Sequence, residues 1–346
     1  MKFAVGYQLY DGEGDDPFPS LIEEYKEHIA EVYFPWGDLP SGRAALTNQR
    51  GYINWDAQQE LEKDLYFFRS LGIKLDLLFN ANCYGGQAVS RYLENQIVSI
   101  LDHLEQKVGG IDIVTTTSPT IAYIIKKHFP HVETRASINM QIGTIEGMKY
   151  LSDLFDSFHV KREFNRDIPY LMGLKEWADK NGKKLSLLVN SGCLYSCSGQ
   201  IFHDNMVAHE KEIDETINIS EWAPHICKNY LKNPDNWYAV LQSTWIRPED
   251  LHNYEDIFPV VKLATRMHSR PRLVLDAYTS RNYYGNLLDL FEPGHSYIFF
   301  PYIVDNKRFP EDWFLRTSTC KHLCEKCNYC KEIFKEVSFS LEKLSL

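Results

Sequence analysis

The chain carries no G-x-S-x-G elbow and no H-E-x-x-H pair. Neither a serine nucleophile on a strand-to-helix turn nor a zinc-peptidase helix is therefore legible in it. No G-x-G-x-x-G follows the first strand-like segment, and the "YDGEGDD" found there is too acidic to cradle a phosphate. There is no charged-then-apolar leader and no run of 18 uncharged apolar residues, so the expectation is a cytoplasmic chain that does not enter a membrane. Positive charge is also scarce. With 37 Lys and Arg against 47 Asp and Glu, the formal charge is -10, which argues against nucleic acid as a partner, because that binding draws on Lys and Arg. Internal repeats and low-complexity linkers are absent too.

What is present is material for a large core and an unusual set of thiols. The 346 residues are 44% hydrophobic, enough for one large domain or two ordinary ones. Eight cysteines in a cytosolic-looking chain point to metal binding or catalysis before disulfides, since the cytosol keeps thiols reduced. Cys83 stands alone, Cys193 and Cys197 are close, Cys227 follows after a gap, and Cys320, Cys324, Cys327 and Cys330 crowd the C-terminus.

Apolar runs of strand length alternate with amphipathic helical patterns. Strands are expected at 2–9, 31–36, 74–81, 111–117, 132–140, 158–163, 184–191 and 258–265. Over 90–108, Leu93, Ile97, Ile100, Leu101, Leu104 and Val108 share one face at the helical period. Ser118-Pro119 supplies an N-cap and first-turn proline, and Asn54 can cap a helix over 55–71. Eight β/α units imply an α/β fold, a (β/α)8 TIM-like barrel, with a doubly wound open sheet as the alternative. The barrel is expected over 1–290, with an inserted segment at about 192–257 after strand seven and a cysteine-rich extension over 291–346 packed on it.

In such a barrel the chemistry sits at the C-terminal ends of the strands. Those ends carry Asn80, Asn82 and Cys83, then Ser137 and Asn139, Arg162 and Glu163, Asn190, Ser191 and Cys193, and finally Lys262 and Arg266. Arg162, Lys262 and Arg266 could hold a carboxylate, Arg by a bidentate fork. An equally weighted alternative makes Arg162, Glu163 and Lys262 an internal network that supports the barrel. His203-Asp204 could orient a base, although such a neighbour pair is more often loop structure.

Cys193, Cys197 and Cys227 can meet at the same end of the barrel, and three thiolates need a fourth ligand to close a zinc or 4Fe–4S site. Cys83 is the candidate, with a tail cysteine as rival. The tail run "CKHLCEKCNYC" can enclose a metal by itself, either iron–sulfur or a structural zinc.

The series "GRAALTN", "RASINM", "VKREFN", "VNSGCLYSCSGQ", "IRPEDL" and "VVKLATR" is similar, in order and spacing, to the collagenase-like peptidase family of unassigned catalytic type, peptidase family U32. That resemblance spans about residues 1–290. It implies an iron–sulfur barrel of the group that includes proteins for oxygen-independent hydroxylation of ubiquinone precursors and RNA. By position it maps the family's cluster ligands onto Cys193, Cys197 and Cys227. The chain departs from the family in its tight two-cysteine loop, in having no cysteine between Cys227 and Cys320, and in its tail quartet.

The expected function is accordingly an iron–sulfur oxidoreductase performing oxygen-independent hydroxylation, with one or two 4Fe–4S clusters. Catalytic roles fall to Arg162, Glu163, Lys262 and His203, and substrate contacts to Asn80, Asn139, Asn190 and Arg266. The substrate would be a small molecule or one borne by a carrier, with an electron-donor protein or a family partner subunit alongside. A peptidase and a non-catalytic metal-stabilised scaffold are the alternatives.

Overall fold

The computed structural model describes residues 1–9, 16–37, 39, 41–43, 46 and 54–344. Most of "YDGEGDD" and of "GRAALTN" therefore lies outside the described residues. Eight parallel strands form one sheet: β1 (Lys2–Gly6), β2 (Ile29–Phe34), β3 (Lys74–Phe79), β4 (Ile113–Thr116), β5 (Glu133–Ala136), β6 (Ser157–His159), β7 (Lys184–Ser186) and β8 (Val260–Lys262). Their order, 7-6-5-4-3-2-1-8, follows the chain except where β8 pairs with β1. The ring is drawn together at a bridge between Leu188 and Lys262, where the Lys262 N–H donates to the Leu187 carbonyl at 2.7 Å. This is the expected TIM-like (β/α)8 barrel.

The helices form where capping and periodicity say they should. Ser90 accepts the Leu93 N–H at the start of Arg91–Val108, and the six apolar residues of its predicted face are all buried. Asn54 caps Trp55–Ser70 through the Ala57 N–H, and Ser118 caps Pro119–His128 through that of Ile121. The strands are shorter than their apolar runs. Leu187, Leu188 and Val189 stay buried past the end of β7, where they meet β8 through the isolated Leu188–Lys262 bridge and its flanking backbone hydrogen bonds. Past β5 and β6 the chain turns into the short 3-10 segments Ile138–Met140 and Arg162–Phe164.

After β7 the inserted segment runs through short helices, among them Gln200–Ala208 and Ile226–Leu231. Beyond the barrel, β9 (Tyr302–Val304) and β10 (Ser338–Ser340) pair antiparallel around the helices Trp313–Ser318 and Tyr329–Val337. Trp313, Ile333 and Val337 belong to the same apolar cluster as the helices and strands of the barrel. Gly192 fixes one contact between barrel and tail: a Cβ there would meet the Pro293 carbonyl oxygen at 2.1 Å. Among the described residues, no helix is long and apolar enough to cross a membrane.

The interior of the barrel is charged. Arg135 on β5 donates to both carboxylate oxygens of Glu31 on β2, at 2.6 and 3.0 Å, and to Glu133 at 2.9 Å. Asp76 on β3 accepts from Thr115 at 2.8 Å, and the Lys262 ammonium lies 3.7 Å from the centre of the Tyr33 ring. Burial pushes the Asp76 carboxyl up and the Lys262 ammonium down. Each shift disfavours the charged form, as desolvation must.

Candidate active site at the barrel mouth

Three elements meet where β6 and β7 end. The 3-10 turn after β6 presents Arg162, the loop after β7 carries Cys193 and Cys197, and the inserted segment brings Cys227 on the helix Ile226–Leu231. Arg162 is buried and donates to Cys193 Sγ at 3.2 Å, Ser191 Oγ at 3.4 Å and Gln200 Oε1 at 2.7 Å. Gln200 in turn donates to both oxygens of buried Asp204 at 2.8 Å. Arg162 is thus aimed at a sulfur, with no direct hydrogen bond to a carboxylate among the described residues. Negative charge on Cys193 is the foremost influence holding its pKa up against burial.

The three cysteines feel one another. Burial pushes the Cys197 thiol up and the charge on Cys193 adds to it; Cys227 is raised by burial and then by Cys193 and Cys197. Backbone N–H groups oppose this, that of Gly199 at Cys197 and that of Lys228 at Cys227. Hydrogen bonds from N–H to sulfur favour the thiolate. Among the described residues, no three His, Cys, Asp or Glu side chains converge as a single metal ion would require.

Cys83 lies elsewhere. Its sulfur accepts the Gly85 N–H at 3.3 Å, and it lines a cavity of about 290 Å³ with Tyr84, Gln87, His209 and Glu212. This placement gives the expected fourth-ligand role no support. His203 stands on the helix Gln200–Ala208, its ring 5.1 Å from that of His225, and burial pushes its pKa down. Glu163 sits at the mouth, with its carboxylate 4.0 Å from Lys161 Nζ.

The residues expected to contact substrate divide. Asn80 accepts the Gly42 N–H at 2.9 Å, and a Cβ on Gly42 would come within 2.6 Å of the Asn139 amide, so Asn80 and Asn139 line one stretch of the mouth. Arg266 donates to Ser41 at 3.1 Å, while its Nη1 has no partner among the described residues. Asn190 is a correction. Its amide hydrogens go to the Ala264 and Leu290 carbonyls at 3.1 and 3.0 Å, and its oxygen accepts the Ala264 N–H at 2.6 Å. A side chain fully engaged by backbone ties β7 to β8 and does not read a substrate. Lys262 has its ammonium buried against Tyr33, within reach of the charges of Asp76, Arg266 and Arg135, the kind of surroundings that the supporting-network alternative described.

Sequence reasoning passed over Gln200, Tyr195, Arg166 and the Glu31–Arg135 pair. The spacing of Arg162 and Arg166 within "VKREFNR" was visible, but only the fold shows that each lies by a different group of cysteines.

A TIM-like barrel with a polar, thiol-bearing mouth defines an enzyme-like architecture. No family model matches the chain. It is 24% identical over 321 residues to the uncharacterized protease MJ1657 of Methanocaldococcus jannaschii, covering 90% of both chains. Its fold superposes on the U32 peptidase Mk0906 with a TM-score of 0.53 at 14% identity, covering 77% of this chain and 92% of the other. Both likenesses run in the same direction as the resemblance of its motifs to the U32 peptidases, and the second shows the shared barrel fold.

Proposed function

We propose that the chain is an enzyme whose barrel mouth works through an iron–sulfur cluster held by Cys193, Cys197 and Cys227. The observation that carries this reading is the Arg162 N–H aimed at Cys193 Sγ at 3.2 Å, from a buried guanidinium that has no carboxylate hydrogen bond among the described residues. A buried cation needs a compensating negative charge; Cys193, then Asp204 and Glu163, face it, and cluster-bound thiolates would add to it. The donor set suits a cluster in kind: three sulfurs that feel one another's charge, with N–H groups directed at them.

When bound, the cluster supplies one-electron chemistry and, with three thiolates, an iron with a free position. The chain's own residues do the rest. Arg162 orients the Cys193 loop, and Gln200 and Asp204 hold Arg162. Asn80, Asn139 and Arg266 offer hydrogen-bond donors, Arg266 a free N–H for an anionic group of a small or carrier-borne substrate.

The peptidase reading is favoured by both similar proteins, one named a protease and the other a U32 peptidase. It would use Cys193 as the nucleophile, with Arg162 holding its sulfur in place. The test is iron and acid-labile sulfide per chain in protein purified without oxygen, beside peptide hydrolysis by the same sample, for wild type and Cys193→Ser. Iron with equal sulfide that falls in Cys193→Ser supports the cluster. Metal-free protein that cleaves peptides, with cleavage lost in Cys193→Ser, would replace it with the peptidase.

A further inference from the structure

The tail cysteines have a buried cation of their own. Arg166 is enclosed, donating from Nε to the Trp245 carbonyl at 3.0 Å and from Nη1 to that of Leu241 at 3.1 Å, while Nη2 is buried with no partner among the described residues. Its guanidinium lies over Trp245 and Trp313, at 4.3 and 5.3 Å from their centres, and Trp313 stacks on Tyr329, the residue before Cys330. Among the described residues no carboxylate hydrogen-bonds to it; burial pushes its pKa down, and the influences that oppose this are Cys330 first, then Tyr254 and Asp250. Neutral hydrogen bonds and two indole faces do not balance a buried guanidinium.

The four tail cysteines sense one another's charge, and the Cys320 sulfur already accepts the His322 N–H at 3.3 Å. Burial pushes the Cys330 thiol up to about 11, and the charge of Arg166 opposes this. Among the described residues the sulfurs do not converge on one point as they stand, but Cys320 and Cys327 are exposed, so their side chains can turn between staggered rotamers at little cost. Four thiolates around one thiophilic metal centre carry the negative charge that Arg166 lacks. We propose that Cys320, Cys324, Cys327 and Cys330 hold a second metal centre, zinc or iron–sulfur, with Arg166 as its buried counter-charge. This centre is independent of the one at the barrel mouth.

The test uses the full chain, purified without oxygen and measured for zinc, iron and sulfide per chain, as wild type, Cys327→Ser, Cys324→Ser, Cys193→Ser and Arg166→Gln. The expected result is one metal centre lost in both Cys327→Ser and Cys324→Ser but kept in Cys193→Ser. Competition with a chelator should show that centre held about 10–100-fold more weakly in Arg166→Gln, the scale of outer-shell substitutions at metal sites. Zinc without sulfide would identify a structural centre, and iron with sulfide a cluster. Metal content unchanged in both tail variants, or no metal in the wild type after reconstitution with either zinc or iron and sulfide, would overturn the proposal.

Discussion

The Tyr195 ring lies flat on the His322 imidazole, with centroids 4.1 Å apart and planes 3° from parallel. Tyr195 sits between Cys193 and Cys197, and His322 between Cys320 and Cys324. One stacked pair therefore joins the loop of the barrel thiols to that of the tail thiols. Charge on Cys324 and Cys320 reaches the Tyr195 hydroxyl as well. The two groups of cysteines are neighbours, although more than 120 residues separate Cys197 from Cys320.

If that stack fastens the tail segment, Tyr195→Ala should loosen it and Tyr195→Phe should not. A stacked ring pair contributes about 0.5–1.5 kcal/mol beyond its buried area, which corresponds to roughly 2–10-fold faster amide exchange over 320–324. Hydrogen exchange of the two variants against wild type checks this. Equal rates in Tyr195→Ala would show that the tail is held elsewhere.

The charged network inside the barrel makes a separate prediction. Arg135 is buried with Glu31 in a two-pronged pair. Removing one partner of such a pair leaves an uncompensated buried charge and costs about 3–5 kcal/mol. Arg135→Met should lower unfolding stability by that amount, and Arg135→Met with Glu31→Gln should recover much of it. Urea denaturation of the two single variants and the double variant measures the coupling. Additive losses would mean that Glu31 is neutralised by other means.

Much of this architecture was legible because it rests on local rules. The face of Leu93, Ile97 and Leu104, the Asn54 and Ser118 caps and the eight apolar runs are set by short-range periodicity, and each appears where the pattern put it. Strand ends were overextended, because an apolar run records burial and not ladder pairing, as Ile138 shows, buried in the 3-10 turn past β5. Site residues were harder. Asn190 and Lys262 have side chains suited to a ligand, and only tertiary placement reveals that backbone carbonyls and an inner ring occupy them. Arg166 carried no signal in the sequence, since its meaning depends on a tail cysteine 164 positions later.

Acid should loosen the Cys193 loop through His295. This imidazole is buried in the tail, its Nε2 3.1 Å from the Gly192 carbonyl and its Nδ1 without a partner among the described residues. The geometry suits the neutral tautomer that donates from Nε2. A proton on Nδ1 would be buried with nothing to accept it, and burial accordingly lowers the pKa to about 4. In the unfolded chain the ring titrates near its ordinary 6.5, so between those values the unfolded state binds more protons. The contribution of His295 to stability is therefore complete above about pH 6.5 and lost as the pH falls toward about 4, amounting to about 3 kcal/mol. His295→Gln keeps a donor but cannot titrate. Its stability relative to wild type, from urea midpoints at pH 7 and pH 4.5, should improve markedly on acidification. An unchanged difference between the two proteins would show that His295 is already solvated in the folded state.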